Sequence, residues 1–194
     1  MALFFLSADA QFVFLANIDP DLQMKVLEQV RHPLFIASDT MNLWINIKKP
    51  ALEMVLKKIH ALIINEGEAK LLTGAANAIA AAQMILKMGP KYVVIKRGEY
   101  GFVMYSQEGF FMLPAVPVAN VVDPTGAGDS FAGGFFGYLA TCMNPFDAHE
   151  LKRACVYGTV MASFTVQGFG LSEIEKVTKE RLNEQLMHFE ACTR

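Results

Sequence analysis

The segment Asp123–Ser130 has the sequence DPTGAGDS, and it decides how the rest of the chain is interpreted. It follows an extended, valine-rich stretch, Val116–Val122, and leads into an apolar helix. Two glycines flank a small residue, so a ligand can approach the backbone closely. The helix points its free N–H groups back at this turn, which predicts an anion site. Asp129 adds a carboxylate beside the expected anion, which is electrostatically unfavourable unless the carboxylate takes a proton there. The arrangement therefore indicates phosphoryl transfer, in which the carboxylate removes the proton of the nucleophile that attacks the bound anion.

Length and composition predict one soluble domain over residues 1–194 with a substantial core. Of the 194 residues, 53% are apolar and 19% are charged. The apolar runs are short and broken by glycine, proline and charges, as expected for strands buried on both faces of a parallel sheet. No run reaches the roughly 18 residues of a membrane span. The net charge of −2, without a basic block, gives no support for partners such as nucleic acid or a membrane surface.

Cysteine and histidine usage indicates a reducing compartment and no metal centre built from these residues. The cysteines are odd in number and lack CxxC spacing, which favours reduced thiols and a cytoplasmic protein: Cys142, Cys155 and Cys192. The four histidines are scattered without ligand spacing. The N-terminal residues carry no basic region, which argues against a signal peptide.

Strand and helix signals alternate along the chain, which predicts an α/β fold with a mostly parallel sheet. Strands are expected at 11–16, 34–37, 61–64 and 92–95, with a hairpin over 101–113. Helices are expected to begin at Pro20 and Pro50, at Glu66 and Ala76, and after Asp123–Ser130, with two more over 148–165 and 172–189. The first two helices are expected to bury the apolar faces Leu22, Val26, Leu27, Val30 and Leu52, Val55, Leu56, Ile59.

Polar residues follow several of these strands. Ligands bind at the carboxyl ends of the strands in such sheets, so these residues are expected to gather at one edge. They are Asp39 and Asn42, Asn65 and Glu68, Lys96 and Gly98, and the loop 123–129. Their convergence indicates a site for a phosphate and a metal.

The motif DPTGAGD, followed by SFAGGF, resembles the D-x-x-G-A-G-D motif of the PfkB (ribokinase-like) family of carbohydrate and nucleoside kinases. GAGD alone would also suit a glycine-rich turn that caps a helix. The resemblance implies an ATP-dependent phosphotransferase with a three-layer α/β/α fold. It makes Asp129 the catalytic base that takes the proton of the acceptor hydroxyl. The anion hole would be formed by the N–H groups of Gly126, Ala127 and Gly128, and a monovalent cation would lie near Asp123 and Thr125.

The segment Asn65–Glu68 (NEGE) matches the N-x-x-E motif with which the family organises Mg²⁺ and phosphate. Asn65 and Glu68 lie three residues apart, on one side of a helical turn. Magnesium keeps several waters and needs few carboxylates, so a single glutamate suits it. The ordinary alternative is a helix start, where asparagine caps and glutamate complements the dipole.

Two further segments carry weaker similarity to nucleotide-binding parts of the family. The loop Lys96–Gly101 replaces the family's Thr-Leu with Lys-Arg but retains both glycines, and it implies phosphate contacts by Lys96, Gly98 and Gly101. A β-turn is the alternative. The segment Ala162–Gly170 resembles the part that encloses adenine, with Gly168 against the base.

The segment Asp39–Trp44 loosely resembles the family's D-x-N-x-x-x-x-W region and implies substrate contacts by Asp39 and Asn42. Its spacing differs, and loop capping by these two side chains explains the residues equally well. The family's first strands, its Gly-Gly substrate motif and its lid are not recognisable before Gln11. The resemblance therefore covers the C-terminal portion of a ribokinase-like fold that lacks the N-terminal strands and the lid.

Three functional alternatives remain beside a kinase of sugars or nucleosides. The lacking N-terminal part favours a truncated, non-catalytic nucleotide-binding or assembly module. A dinucleotide-dependent oxidoreductase is disfavoured because GAGDSF has no third glycine of G-x-G-x-x-G, and a P-loop NTPase is disfavoured because no G-x-x-x-x-G-K-[ST] occurs. A sheet without its first strands exposes an apolar edge, which predicts a homo-oligomer.

Overall fold

The computed structural model describes residues 8–193, so the apolar first residues on which the signal-peptide argument depends lie outside it. Six strands form one sheet in the order β1-β2-β3-β4-β5-β6. The strands are β1 (Phe12–Leu15), β2 (Phe35–Ser38), β3 (Ala61–Asn65), β4 (Tyr92–Lys96), β5 (Phe102–Ser106) and β6 (Gly109–Leu113). The helices are α1 (Pro20–Leu27), α2 (Asn42–Ile47), α3 (Lys49–Leu56), α4 (Glu66–Thr73), α5 (Ala78–Leu86), α6 (Ala127–Leu139), α7 (Ala148–Thr165) and α8 (Lys179–Cys192).

The chain divides into two compact units. The first contains the residues up to Arg97 and the hairpin residues Val103–Phe111. The second contains Gly98–Phe102 and the residues from Met112 onward. A single domain over 1–194 therefore stays a prediction, and each unit is described separately.

In the first unit, β1 to β4 are parallel, which confirms the predicted α/β class. Alternate strand residues pack with helices α3, α4 and α5 in one core: Val13, Leu15, Ile36, Leu62, Ile64, Val93 and Ile95. Intervening residues are fully buried too: Phe35, Ala37, Ala61, Ile63 and Val94. Burial of both sets explains why these strands are continuously apolar and not alternating.

In the second unit, helices α6 and α7 pack closely because glycines lie at their contact. A Cβ on Gly134 would meet the carbonyl oxygen of Tyr157, and a Cβ on Gly158 would meet that of Phe131. Residues of α7 and α8 form a separate core together with Val116, which lies between β6 and α6. The residues of this core are Val116, Val160, Phe164, Leu186 and Phe189. This packing fixes α6, whose start carries the glycine-rich motif, against α7.

Several predicted elements were wrong in detail. Helix α1 buries Gln23, whereas Leu22, predicted to face inward, is 39% exposed. The valine-rich residues 116–122 form no strand, so the loop 123–129 does not follow a strand end. A short helix, α2, occupies residues 42–47, where no helix was predicted, and α8 begins after Thr178, whose hydroxyl caps it, and not at Ser172.

Within residues 8–193, no single helix combines the length and apolar character needed to cross a membrane. Helices α4 and α5, bent by 58° at their junction, pass this test together by length and composition only. The three cysteines are free thiols, and Cys155 is buried.

Candidate functional site

The first unit brings polar side chains together at the carboxyl ends of β2, β3 and β4. Asp39 follows β2, and its Oδ2 lies 3.3 Å from Nζ of Lys96, the last residue of β4. Only 13% of the aspartate side chain and 19% of the lysine side chain are exposed. In the sheet, Lys96 lies opposite Asn65, the last residue of β3. Because the strands are parallel and in register, these residues share one edge, as the sequence predicted.

Asn65 and Glu68 form a reciprocal capping box at the start of α4. The Asn65 Oδ1 accepts from the Glu68 N–H at 2.8 Å, and the Glu68 Oε2 accepts from the Asn65 N–H at 3.1 Å. Burial raises the pKa of Glu68, and the charge of Asp39 adds to the increase, while Lys96 and the Asn65 N–H oppose it. The helix-capping alternative is therefore realised in the structure, and the metal role of both residues stays a prediction.

Glu66 links this edge to the loop after β4, a role that no sequence motif indicated. Its Oε2 lies 2.9 Å from Nε of Arg97, and its Oε1 lies 2.7 Å from Nζ of Lys70. Lys70 and then Arg97 lower the pKa of Glu66. A carboxylate at N1 of a helix is common, so only the structure reveals that this one holds Arg97 in place.

In the second unit, the glycine-rich motif forms the predicted turn at a helix start. Gly126 is the N-cap of α6 and has a φ of 81°, a left-handed conformation that favours glycine. The Ala127 N–H donates to the carbonyl oxygen of Pro124 at 3.1 Å. Within residues 8–193, the N–H groups of Gly126, Gly128 and Asp129 have no hydrogen-bond acceptor. Two of the three amides predicted for the anion hole are therefore free, and the third has an intramolecular partner.

Asp129 lies in the first turn of α6 and is exposed. Among the described residues, none donates a hydrogen bond to its carboxylate or pairs with it. Its neighbour Ser130 is held by the Thr165 hydroxyl at 2.6 Å. Earlier in the loop, the Asp123 Oδ1 accepts from the Thr125 N–H at 2.9 Å, and this bond lowers the pKa of Asp123. The loop is thus internally ordered, while the carboxylate of Asp129 remains available.

The remaining predicted residues divide into structural and accessible ones. Gly98 has a φ of 57° and open space around its Cα, whereas a Cβ on Gly101 would meet the Leu113 carbonyl, so Gly101 has a structural reason to be glycine. A Cβ on Gly168 would likewise meet the side chains of Ser172 and Glu173. Asn42 is exposed at the first residue of α2, where its Oδ1 accepts from the next N–H at 2.9 Å.

The structure is an α/β protein with a glycine-rich helix start. Residues 5–177 match the pfkB family carbohydrate kinases, and the chain belongs to this family. A cytidine kinase of Thermococcus kodakarensis is 34% identical over 135 residues, which are 67% of this chain and 48% of that protein.

Two solved structures show the same fold. Aminoimidazole riboside kinase from Salmonella enterica, complexed with aminoimidazole riboside and an ATP analogue, has a TM-score of 0.74 at 20% identity and matches 92% of this chain and 63% of its own. The nucleoside kinase of Methanocaldococcus jannaschii has a TM-score of 0.73 at 22% identity and matches 92% of this chain and 56% of its own. The present chain thus spans about half to two thirds of the length of these relatives.

Proposed function

We propose that this chain is an ATP-dependent phosphotransferase that transfers the γ-phosphoryl group to a hydroxyl of a sugar or nucleoside, with Asp129 as the base. The observation that carries the proposal is the start of α6, where free amides and an unpaired carboxylate lie within one turn. Free N–H groups at a helix start attract an anion. A carboxylate beside that anion is electrostatically unfavourable unless it accepts a proton there, which is the task of a general base.

The proposed anion hole consists of the backbone at Gly126, Ala127 and Gly128. Charge builds up on the transferred phosphoryl group, and fixed N–H donors stabilise such charge without reorganisation. The Ala127 N–H already has Pro124 as acceptor at 3.1 Å, so the Gly126 and Gly128 amides carry the larger part of this role. Ala127 contributes a small side chain that leaves the backbone accessible.

Mg²⁺ is assigned to Asn65 and Glu68 in the first unit. The donor set fits this ion, because an amide and a carboxylate offer the hard oxygen ligands that Mg²⁺ prefers. Burial raises the pKa of Glu68, so a nearby cation would favour its ionised form. When bound, Mg²⁺ neutralises charge on the phosphates of ATP. We expect Glu68→Gln to reduce the gain in ATP affinity that Mg²⁺ provides, measured by calorimetry with and without the ion.

The other predicted residues receive the remaining roles. Lys96 and the backbone at Gly98 and Gly101 would contact the phosphates of ATP, and Gly168 would border the base. Asp39 and Asn42 would bind the acceptor. A monovalent cation near Asp123 and Thr125 would add positive charge beside the anion site.

The test of the catalytic role is Asp129→Asn, which retains the shape of the side chain and removes its basicity. Phosphoryl transfer from ATP to a panel of sugars and nucleosides should fall by about 10²–10⁴-fold, with little change in ATP affinity. Glu180→Gln is the matched control, because Glu180 is also an exposed acid in the first turn of a helix, α8. Full activity of the Asp129→Asn protein would refute the role of Asp129.

A second candidate function is a non-catalytic nucleotide-binding or assembly module. The observation that favours it is that one of the three anion-hole amides, that of Ala127, already has the Pro124 carbonyl as its acceptor. This candidate predicts that MgATP binds but that no acceptor in the panel is phosphorylated. Calorimetry together with an ADP-release assay separates the two candidates.

We also propose that the chain self-associates in the cytoplasm through β1. In the described part of the chain, β1 is hydrogen-bonded to β2 on one side and has no neighbouring strand on the other. An unpaired strand edge is a template for pairing with a second chain. Sedimentation velocity over a range of concentrations should show a dimer or larger species, and a monomer throughout would exclude this interface.

A further inference from the structure

Gln23 is a polar side chain in the interior of the first unit, where its position on α1 would normally hold an apolar residue. It is 1% exposed. A buried amide loses its hydration, so it is tolerated only where the protein supplies hydrogen bonds. The side chain therefore has a structural or functional reason to be glutamine.

The Gln23 amide nitrogen lies among four oxygens at the ends of β1 and β2. The distances from Nε2 are 3.2 Å to Leu15 O, 3.0 Å to Ala16 O, 3.2 Å to the Ser38 Oγ and 3.2 Å to Asp39 O. Three of these are carbonyl oxygens, which only accept, so the atom among them must be the amide nitrogen. The Gln23 amide nitrogen carries two hydrogens. The Ser38 hydroxyl, which lies 3.2 Å from Leu15 O and 3.0 Å from Asp39 O, supplies a third, so each of the three carbonyls can accept one.

These carbonyls lie at the point where the pairing of β1 with β2 ends. The last paired residues are Leu15 and Ser38. Beyond them, the carbonyls of Ala16 and Asp39 accept from Gln23. Gln23 thus supplies donors at the edge that carries the candidate site.

A single peptide group connects Gln23 with the ion pair of Asp39 and Lys96. The carbonyl of Asp39 accepts from Gln23, and the N–H of the same peptide group, that of Thr40, donates to the Asp39 Oδ1 at 2.7 Å. The other carboxylate oxygen, Oδ2, faces Nζ of Lys96 at 3.3 Å. Fixing the plane of this peptide therefore fixes the direction of the carboxylate against Lys96.

The orientation in which the Gln23 amide donates leaves its oxygen without a hydrogen bond, which is energetically unfavourable. Its Oε1 is buried, and in the described part of the chain no group donates to it. An unsatisfied buried acceptor is unfavourable, and an apolar side chain of equal shape would avoid it. Retention of glutamine here is explained if the orientation of Asp39 matters.

We propose that Gln23 is a positioning residue, which fixes the Asp39 carboxylate against Lys96, the proposed phosphate contact, by holding the Asp39–Thr40 peptide group. The inference rests on the proposed function for the role of the site, but the positioning itself is a property of the ligand-free protein. Because Gln23 is buried, it acts through the Asp39–Thr40 peptide group.

The test compares Gln23→Met, which retains length and removes the donors, with Val26→Ala, which weakens packing on the same helix without touching the four oxygens. In ¹H–¹⁵N spectra of the ligand-free protein, the Thr40 amide proton should lie downfield, because it donates to a carboxylate over a short distance. Gln23→Met should move this signal upfield, and Val26→Ala should leave it unchanged even at an equal loss of thermal stability. An unchanged Thr40 signal in Gln23→Met, or an equal shift in both variants, would overturn the proposal.

A second measurement concerns the nucleotide. Because Lys96 is the proposed phosphate contact, the affinity for ATP should fall by about tenfold in Gln23→Met, one factor of ten being the loss of one well-placed charged contact, and should stay constant in Val26→Ala. If the parent protein binds no ATP, the proposed function fails, while the Thr40 signal still decides the positioning role. If Gln23→Met does not fold, Ser38→Ala replaces it. A smaller upfield shift of Thr40 is then expected, and no shift refutes the inference.

Discussion

The two units hold their candidate site residues in opposite ways. In the first unit, the polar side chains satisfy one another: Asp39 faces Lys96, Asn65 and Glu68 cap α4 reciprocally, and Glu66 holds Arg97. In the second unit, Asp129 and the amides of Gly126 and Gly128 have no such partners among the described residues. Because the first-unit groups already have partners in the protein, their substitution should reduce stability as well as ligand binding, whereas Asp129→Asn should leave stability nearly unchanged.

The largest effect on stability should follow from Lys96→Met in the first unit. The change removes the cation facing Asp39, whose carboxylate is mostly buried. We expect a loss of about 2–3 kcal/mol in the free energy of unfolding, less than for a fully buried pair because both side chains keep some exposure. Urea unfolding measures it.

The matched control for Lys96→Met is Lys176→Met. Lys176 pairs with Glu173 at 2.7 Å in the second unit, but 62% of its side chain is exposed. Its removal should change the free energy by less than about 1 kcal/mol. Equal losses for both lysines would remove the distinction between the two regions.

The next effect should come from Gly126→Ala in the second unit. A Cβ at Gly126 finds its nearest neighbour, a methyl group of Thr165, at 3.8 Å, so there is space for it and the cost comes from the left-handed backbone. We expect a loss of about 1 kcal/mol together with weaker ATP binding. Gly133→Ala, at an open position inside α6, should instead stabilise the protein by about 0.5–1 kcal/mol and leave ATP binding unchanged. Loss of stability without loss of ATP affinity in Gly126→Ala would contradict the anion site.

The smallest effect should be the pH dependence that arises from His60 in the first unit. The His60 Nδ1 accepts from the Ile36 N–H at 2.9 Å, so the ring must be neutral at that nitrogen. Burial first, and then the charge of Lys91, lower the pKa of His60 below its ordinary 6.5. The unfolded chain binds this proton more readily than the folded chain does. The contribution of neutral His60 to the free energy of unfolding should therefore be fully present above pH 6.5 and should decrease as the pH falls below it.

The control for this pH effect is His60→Asn, whose amide oxygen can accept from Ile36 but does not titrate. Unfolding free energies measured between pH 5 and 8 should therefore depend less on pH in the variant. Parallel pH profiles for both proteins would show that His60 makes no contribution.

Much of the fold could be predicted from the sequence, because the local signals agreed with the global arrangement. Helices begin at Pro20 and Glu66 as expected, and Leu52, Val55 and Leu56 are fully buried on the predicted face of α3. The wrong predictions concern residues whose structure depends on tertiary contacts. Residues 116–122 are rich in valine, yet they form no strand, since β-propensity depends on a neighbouring strand. Gln23 is buried only because strand ends supply its acceptors, which no local pattern reveals.

The candidate site was predictable in the same uneven way. The glycine-rich helix start is a local motif, and its left-handed Gly126 and free amides follow from chemistry contained in eight residues. The polar edge of the first unit follows from parallel topology, so the proximity of Asp39 and Lys96 was also foreseeable. The roles of Glu66 and Gln23 could not be predicted, because they depend on partners that are distant in sequence. Arg97 is 31 residues from Glu66, and Asp39 is 16 residues from Gln23.

The most direct test of the central claim is a calorimetric titration of the chain with MgATP, repeated without Mg²⁺. The claim is that this chain binds MgATP, with the free amides at the start of α6 as the anion site. We expect saturable binding at one site per chain that weakens without Mg²⁺, and that survives Asp129→Asn. Absence of binding, or binding indifferent to Mg²⁺ and to Gly126→Ala, would contradict it.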